Sequence, residues 1–178
     1  MVDIGGGPAP TSFPFSARTN LLAARVLEAT NIGVFRLSKG RIARIILGFP
    51  VILLTTSGAT TGARHTKPLV ALEDGISWVV AGPVRAFSHD PRPGPEWYEN
   101  LLAYEDSQIA DRSRPGNAPL LIAPEVEYSG NRRVAVRSEP LAGEEHAKWW
   151  TRIVEAHPRL NDPNAGRPPV MRLTPLGY

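Results

Sequence analysis

The sequence has no cysteine, which excludes a disulfide framework, a thiolate nucleophile and a Cys-ligated zinc. It also lacks the run of about 18–20 apolar residues that a membrane-spanning helix needs. The best candidate, residues 48–54, is far too short, so no stable membrane span is expected. Residues 1–15, MVDIGGGPAPTSFPF, contain no Lys or Arg and no continuous apolar stretch. They match neither the charged nor the apolar part of a secretory signal, and residues 1–17 are expected to be a disordered lead on a cytoplasmic protein. Four histidines, His65, His89, His146 and His157, are too dispersed for a recognisable metal motif, so no metal is expected. The Lys and Arg residues are scattered without the aromatic interleaving of a nucleic-acid platform, and no nucleic-acid partner is expected.

What the chain does contain suits one folded domain, assigned to residues 18–178. Its 178 residues are 42% hydrophobic and 21% charged, enough to bury a core without disulfides or metals. Eighteen prolines and sixteen glycines imply many turns and exclude a helix-dominated fold. A net charge of +3 with a pI near 9.6 favours a small anionic ligand over DNA.

Residues 18–37 carry Leu21, Leu22, Val26, Leu27, Val34 and Phe35 at near-helical spacing, which predicts an amphipathic helix. A short turn over 41–47 follows. From Val51 the texture becomes strand-like: VILLTT, the small polar stretch SGATTGARHT, then KPLVALEDGISWVVAG. That is a strand, a loop, and a hairpin turning at Asp74-Gly75. Residues 84–95 are proline-rich and irregular, 96–103 predict a short helix, and 109–126 suggest one weak strand and a loop. VEYSGNRRVAVRSEPL alternates about Ser129-Gly130-Asn131, predicting a second hairpin. Residues 143–156 form a helix with Glu144 and Glu145 in the first turn, where the macrodipole favours acids. A loop over 158–169 and a strand over 170–176 complete the chain.

Four segments in this order, LGFPVILLTTSGATTGARHTKPL, PEWYENLLA, GEEHAKWWTRIVEAHP and VMRLTPL, together resemble the deazaflavin-dependent nitroreductase family, the split-barrel F420-dependent reductases. The similarity runs over about residues 35–176. It implies an α+β fold, a six-stranded antiparallel split β-barrel of the FMN-binding-like kind, with an N-terminal helix and two peripheral helices. It also implies an oxidoreductase in which F420 exchanges a hydride with an electron-poor small organic substrate, the hydride chemistry belonging to the cofactor. By the same resemblance Thr55, Thr56, Ser57, Gly58, Thr60, Thr61, Gly62, Arg64, His65 and Pro68 would line the phosphate side of a groove, with Gly82 nearby. Trp97 and Asn100 would stand on the ring side. A Gly-rich loop after a strand can present N–H groups as an anion-binding nest.

The chain departs from the family at several basic positions. An Arg-Lys pair becomes Ala59-Thr60, a loop arginine becomes His65, and a Ser-Lys becomes Gly82-Pro83. Removing one charge-assisted hydrogen bond to a phosphate or carboxylate weakens binding by about 1.5–3 kcal/mol. Arg64, Lys67 and Arg85 are close in sequence and could compensate. The family's loop tyrosines are replaced around Leu160 and Pro163. These departures motivate an alternative: a repurposed enzyme of secondary metabolism that has lost F420 and performs cyclisation, dehydration or proton transfer. His65, His89 and His157 would be its acid–base groups. FMN in place of F420, no cofactor at all, and a non-enzymatic carrier also stay open. A homodimer would suit the apolar N-terminal helix and the strand edges.

Overall fold

Strand structure begins where the β-branched apolar run VILLTT enters β1 (Val51–Ser57), as residues that pack well on a pleated surface should. The computed structural model describes residues 32–38, 51–81, 96–109, 120–128, 132–156, 158 and 168–177. Within them follow β2 (Arg64–Asp74), β3 (Ser77–Ala81), β4 (Glu125–Tyr128), β5 (Arg132–Pro140) and β6 (Val170–Pro175). The helices are α1, described over 32–37, α2 (Glu96–Ile109) and α3 (Gly143–Ala156). Every strand pairs antiparallel, and the order β1-β2-β3-β6-β5-β4 closes through the β1–β4 ladder into a barrel. This is the α+β, six-stranded split barrel that the resemblance leads one to expect, and closure disposes of most exposed strand edges.

Alternation along the strands decides what fills the barrel. Ile52 and Leu54 of β1, Leu69 and Ala71 of β2, Val80, Val126, Val136, Met171 and Leu173 form one buried cluster, and α2 adds Trp97 and Leu101 to it. The outward residues Val79, Ala81 and Val170 form a second cluster with Leu141 and with Trp149 and Ile153 of α3. Because α3 covers that side, β3 is buried on both faces, which is why WVVA reads as a continuous apolar run rather than an alternating one.

Two charge clusters tie the coverings to the barrel. Phe35 of α1 is fully buried, and its neighbour Arg36 donates to both carboxylate oxygens of Glu127 at 3.0–3.2 Å. The Glu127 side chain is 4% exposed and also accepts from Arg133 at 3.2 Å, so its charge is buried but paired, as burial of a carboxylate demands. Arg172 of β6 meets Asp74 at 3.0 Å, Glu139 at 3.6 Å and Glu145. The hydrogen bond to Glu145, reinforced by Asp74, raises the guanidinium pKa above its ordinary value against an opposing desolvation. It stays charged at any working pH and pins β2, β5 and α3 to one strand.

Three boundaries differ from the sequence expectation. The hairpin turn is carried by Gly75 and Ile76, one residue later than the Asp-Gly pair, because Asp74 still pairs with Ser77; Gly75 takes φ +63°, which glycine adopts without a Cβ penalty. Helix α2 runs to Ile109 instead of stopping at 103. No breaker interrupts YEDSQI, and Glu105 Oε1 accepts from Ser138 N at 2.8 Å and Ser138 Oγ at 2.9 Å on β5. Within 109–126 the described residues 120–124 form no strand, and the ladder begins only at Glu125, after Pro124, which has no N–H to donate although its carbonyl accepts from Val136 N at 2.9 Å. The expectations for residues 18–31, 41–47, 82–95, 129–131 and 159–167 lie outside the described residues. Among those described, no helix is long and apolar enough to cross a membrane, and no group of three His, Cys, Asp or Glu residues could hold a metal ion.

Candidate functional site

The β1–β2 connection is the polar, glycine-bearing feature singled out in the sequence. The ladder closes at Ser57 opposite Arg64, leaving residues 58–63 as a tight turn. Gly58 N donates to Ala63 O at 2.7 Å and Gly62 N to Gly58 O at 2.8 Å, while Ala63 N donates to Thr61 Oγ1 at 3.2 Å. A Cβ on Gly58 would stand 2.6 Å from Thr61 Oγ1 and 3.4 Å from His65 Nε2, so only glycine fits there without displacement. Thr60 and Thr61 project at the exposed tip, and among the described residues no acceptor meets their N–H groups.

Strand register sorts the remaining residues between two faces. Ile52, Leu54 and Thr56 pair with Leu69, Lys67 and His65; since Ile52, Leu54 and Leu69 are core residues, Thr56, Lys67 and His65 share the inward face near the barrel's end. Thr55, Ser57, Arg64, Thr66 and Pro68 belong to the outward face. There Thr55 Oγ1 and Thr66 Oγ1 bond at 2.9 Å, and Ser57 Oγ accepts from Ile122 N at 3.0 Å. Arg64 forms an ion pair with Glu125. The hydroxyls of Thr55 and Ser57 are therefore engaged within the protein, and Arg64 is partly neutralised.

Helix α2 supplies the other wall. Trp97, 5% exposed, belongs to the barrel core and meets Tyr98 edge-on at 5.9 Å between centroids. Asn100, 4% exposed, accepts from Ala59 N at 3.0 Å through Oδ1 and donates from Nδ2 to Thr56 Oγ1 at 3.1 Å. Glu96, in the first turn, brings Oε1 to 3.7 Å from His65 Nε2. Of the site residues expected from sequence, Thr56, Gly58, Thr60, Thr61, Gly62, His65, Trp97 and Asn100 lie at this turn or on the strand ends and helix beside it, whereas Thr55, Ser57, Arg64 and Pro68 lie on the outward face of the same ladder. Gly82, His89 and His157 lie outside the described residues. Sequence reasoning overlooked Glu96 and Glu125 as the acids facing His65 and Arg64, since each pairing depends on tertiary placement and no local spacing signals it.

The loop and helix fall within residues 28–121, the stretch matched by the family model described as F420H(2)-dependent quinone reductase, more than half of the 178-residue chain.

The chain belongs to this F420H(2)-dependent quinone reductase family.

F420H(2)-dependent quinone reductases from two strains of Mycobacterium tuberculosis, H37Rv and CDC 1551, are each 38% identical to it over 77 residues, 43% of this chain and 49% of theirs. The chain thus spans about half the length of the curated relatives it matches. A solved structure described as an F420-H2 dependent reductase, FDR-A, aligns with 70% of this chain and 93% of its own at 25% identity, with a TM-score of 0.45, too loose a superposition to add to the sequence match. None of these relatives is described as performing the non-redox step held open as an alternative.

Proposed function

We propose that this protein is an F420-dependent oxidoreductase that passes a hydride between the deazaflavin and an electron-poor small organic substrate of the quinone class. The observation that carries this is the family match across residues 28–121, which contains both the tight 58–63 turn and the helix that buttresses it. The donor set supports it in kind. F420 is anionic along its phosphodiester and polyglutamate tail, and the turn offers the N–H groups of Thr60 and Thr61 with the basic residues His65 and Lys67 on the adjoining strand. Successive backbone N–H groups and nearby cations are what an anion requires. Bound in reduced form, the deazaflavin would supply a hydride which, with one proton from solvent, converts a quinone to a hydroquinone.

In this reading the protein's own work is binding and placement. Thr60, Thr61, His65 and Lys67 hold the anionic part. Gly58, Thr56 and Asn100 shape the turn, and Trp97 holds the helix in the core rather than stacking on the ring. Titration of the purified protein with F420, with FMN as control, tests the proposal. Saturable binding of F420 and not FMN is expected; binding of neither would overturn it.

The Glu96 carboxylate, 3.7 Å from His65 Nε2, would repel an incoming anion and compete with it for the imidazole N–H. Both side chains are about one-third exposed, 38% for His65 and 34% for Glu96, so solvent limits the effect to about 0.5–1 kcal/mol, or about two- to fivefold in affinity. Glu96→Gln should therefore tighten F420 binding by about that factor and His65→Ala should weaken it by at least as much. Calorimetric titration of the two variants checks both signs.

A further inference from the structure

The resemblance implies that Asn100 touches the cofactor's ring, but its geometry has a different consequence. The side chain is 4% exposed and its amide is committed at both ends, to Ala59 N and to Thr56 Oγ1. Asn100 and Leu101 follow Trp97 by three and four residues, so all three lie on the inward face of α2, and all three are buried. The two apolar members are locked in the barrel core. The core thereby fixes where the amide stands, and the amide fixes Ala59, the first residue past Gly58.

We infer that Asn100 is a positioning residue: it clamps the start of the 58–63 turn so that the Thr60 and Thr61 N–H groups are presented together to the ligand's anionic group, without touching that ligand itself. This rests on the reading of the turn as the anion-holding part of an F420 site. Two properties of the clamp support it. Ala59 N donates to a side chain of a different element 41 residues away, so the turn's own hydrogen bonds do not determine its placement against the barrel. The second bond, to Thr56, locks the amide's orientation, because a flipped amide would set Nδ2 against the Ala59 N–H. A buried polar group bonded at both ends in this way specifies one arrangement.

The test combines amide exchange of the free protein with F420 affinity. In the wild type the Ala59 amide should be protected. In Asn100→Ala that protection should be lost while amides of the β2–β3 ladder keep theirs, and the Kd for F420 should rise by about tenfold or more with kcat at saturating F420 little changed. Thr56→Val, which removes the hydroxyl and keeps the shape, should show a weaker form of the same pattern, and Thr56→Ser, which keeps the acceptor, should restore protection and affinity. Should Asn100→Ala fail to fold, the Val and Ser variants decide between the outcomes. Unchanged Ala59 exchange in Asn100→Ala or Thr56→Val, or unchanged F420 affinity alongside lost protection, would overturn the positioning role. A wild type that protects Ala59 but does not bind F420 would instead overturn the cofactor reading on which it rests.

Discussion

Trp97→Ala should destabilise the protein by about 3–5 kcal/mol, the usual cost of emptying a buried aromatic site, and lower the melting temperature by roughly 10 °C. The indole is 5% exposed and packs in the cluster that fills the barrel, with Tyr98 edge-on against it. Trp97→Phe, which leaves a smaller void, should cost much less. Denaturant unfolding with a parallel F420 titration distinguishes two roles for this residue. A core residue lowers the unfolding midpoint and alters affinity only by loosening α2. A ring-side shelf would instead lower affinity with stability nearly intact, which is the outcome that would contradict the assignment.

Gly58→Ala should lower F420 affinity by about tenfold or more and cost about 1–2 kcal/mol of stability, on the order of one hydrogen bond plus local strain. Space decides this, since the added Cβ would lie 2.6 Å from Thr61 Oγ1. Thr61 must rotate away, giving up the bond it accepts from Ala63 N, and that bond helps close the turn. The double variant Gly58→Ala/Thr61→Ala should recover only the strain part of the lost stability, because it removes the clashing hydroxyl but also the acceptor for Ala63 N, and affinity stays low without the closed turn. Thermal unfolding and calorimetry of the two variants check this; a Gly58→Ala protein as stable and as tight-binding as the wild type would contradict it.

How far the fold can be read from sequence differs from element to element. The strand β1 and the hairpins on either side of Gly75 and of residues 129–131 follow from local alternation and turn chemistry, and α3 from its acidic first turn and apolar spacing. The length of α2 is not local information: Glu105 reaches Ser138, 33 residues away, and holds the helix past the point where its apolar pattern fades. That residues 120–124 form no strand likewise goes with a distant contact, Ile122 N bonding Ser57 Oγ across 65 residues.

At the site, the residues SGATTG announced a polar turn, and the resemblance added Trp97 and Asn100 as its neighbours. What the sequence could not show was which hydroxyls are occupied. Thr55, Thr56 and Ser57 look equivalent in a row, yet register turns Thr56 inward to Asn100 and Thr55 and Ser57 outward to Thr66 and Ile122. The loss of basic residues is also partly a matter of register. Lys67 and His65 fall on one face because their strand alternates, and Arg64 falls on the other, against Glu125.

The most direct measurement of F420-dependent quinone reduction is oxidation of reduced F420 by a quinone in the presence and absence of the purified protein, followed by the return of the oxidised deazaflavin's absorbance. The protein should accelerate the reaction with a rate that saturates with F420, weakens in Gly58→Ala, and is not supported by reduced FMN. A rate indistinguishable from the uncatalysed reaction across a panel of quinones, with no F420 bound, would contradict the proposed activity.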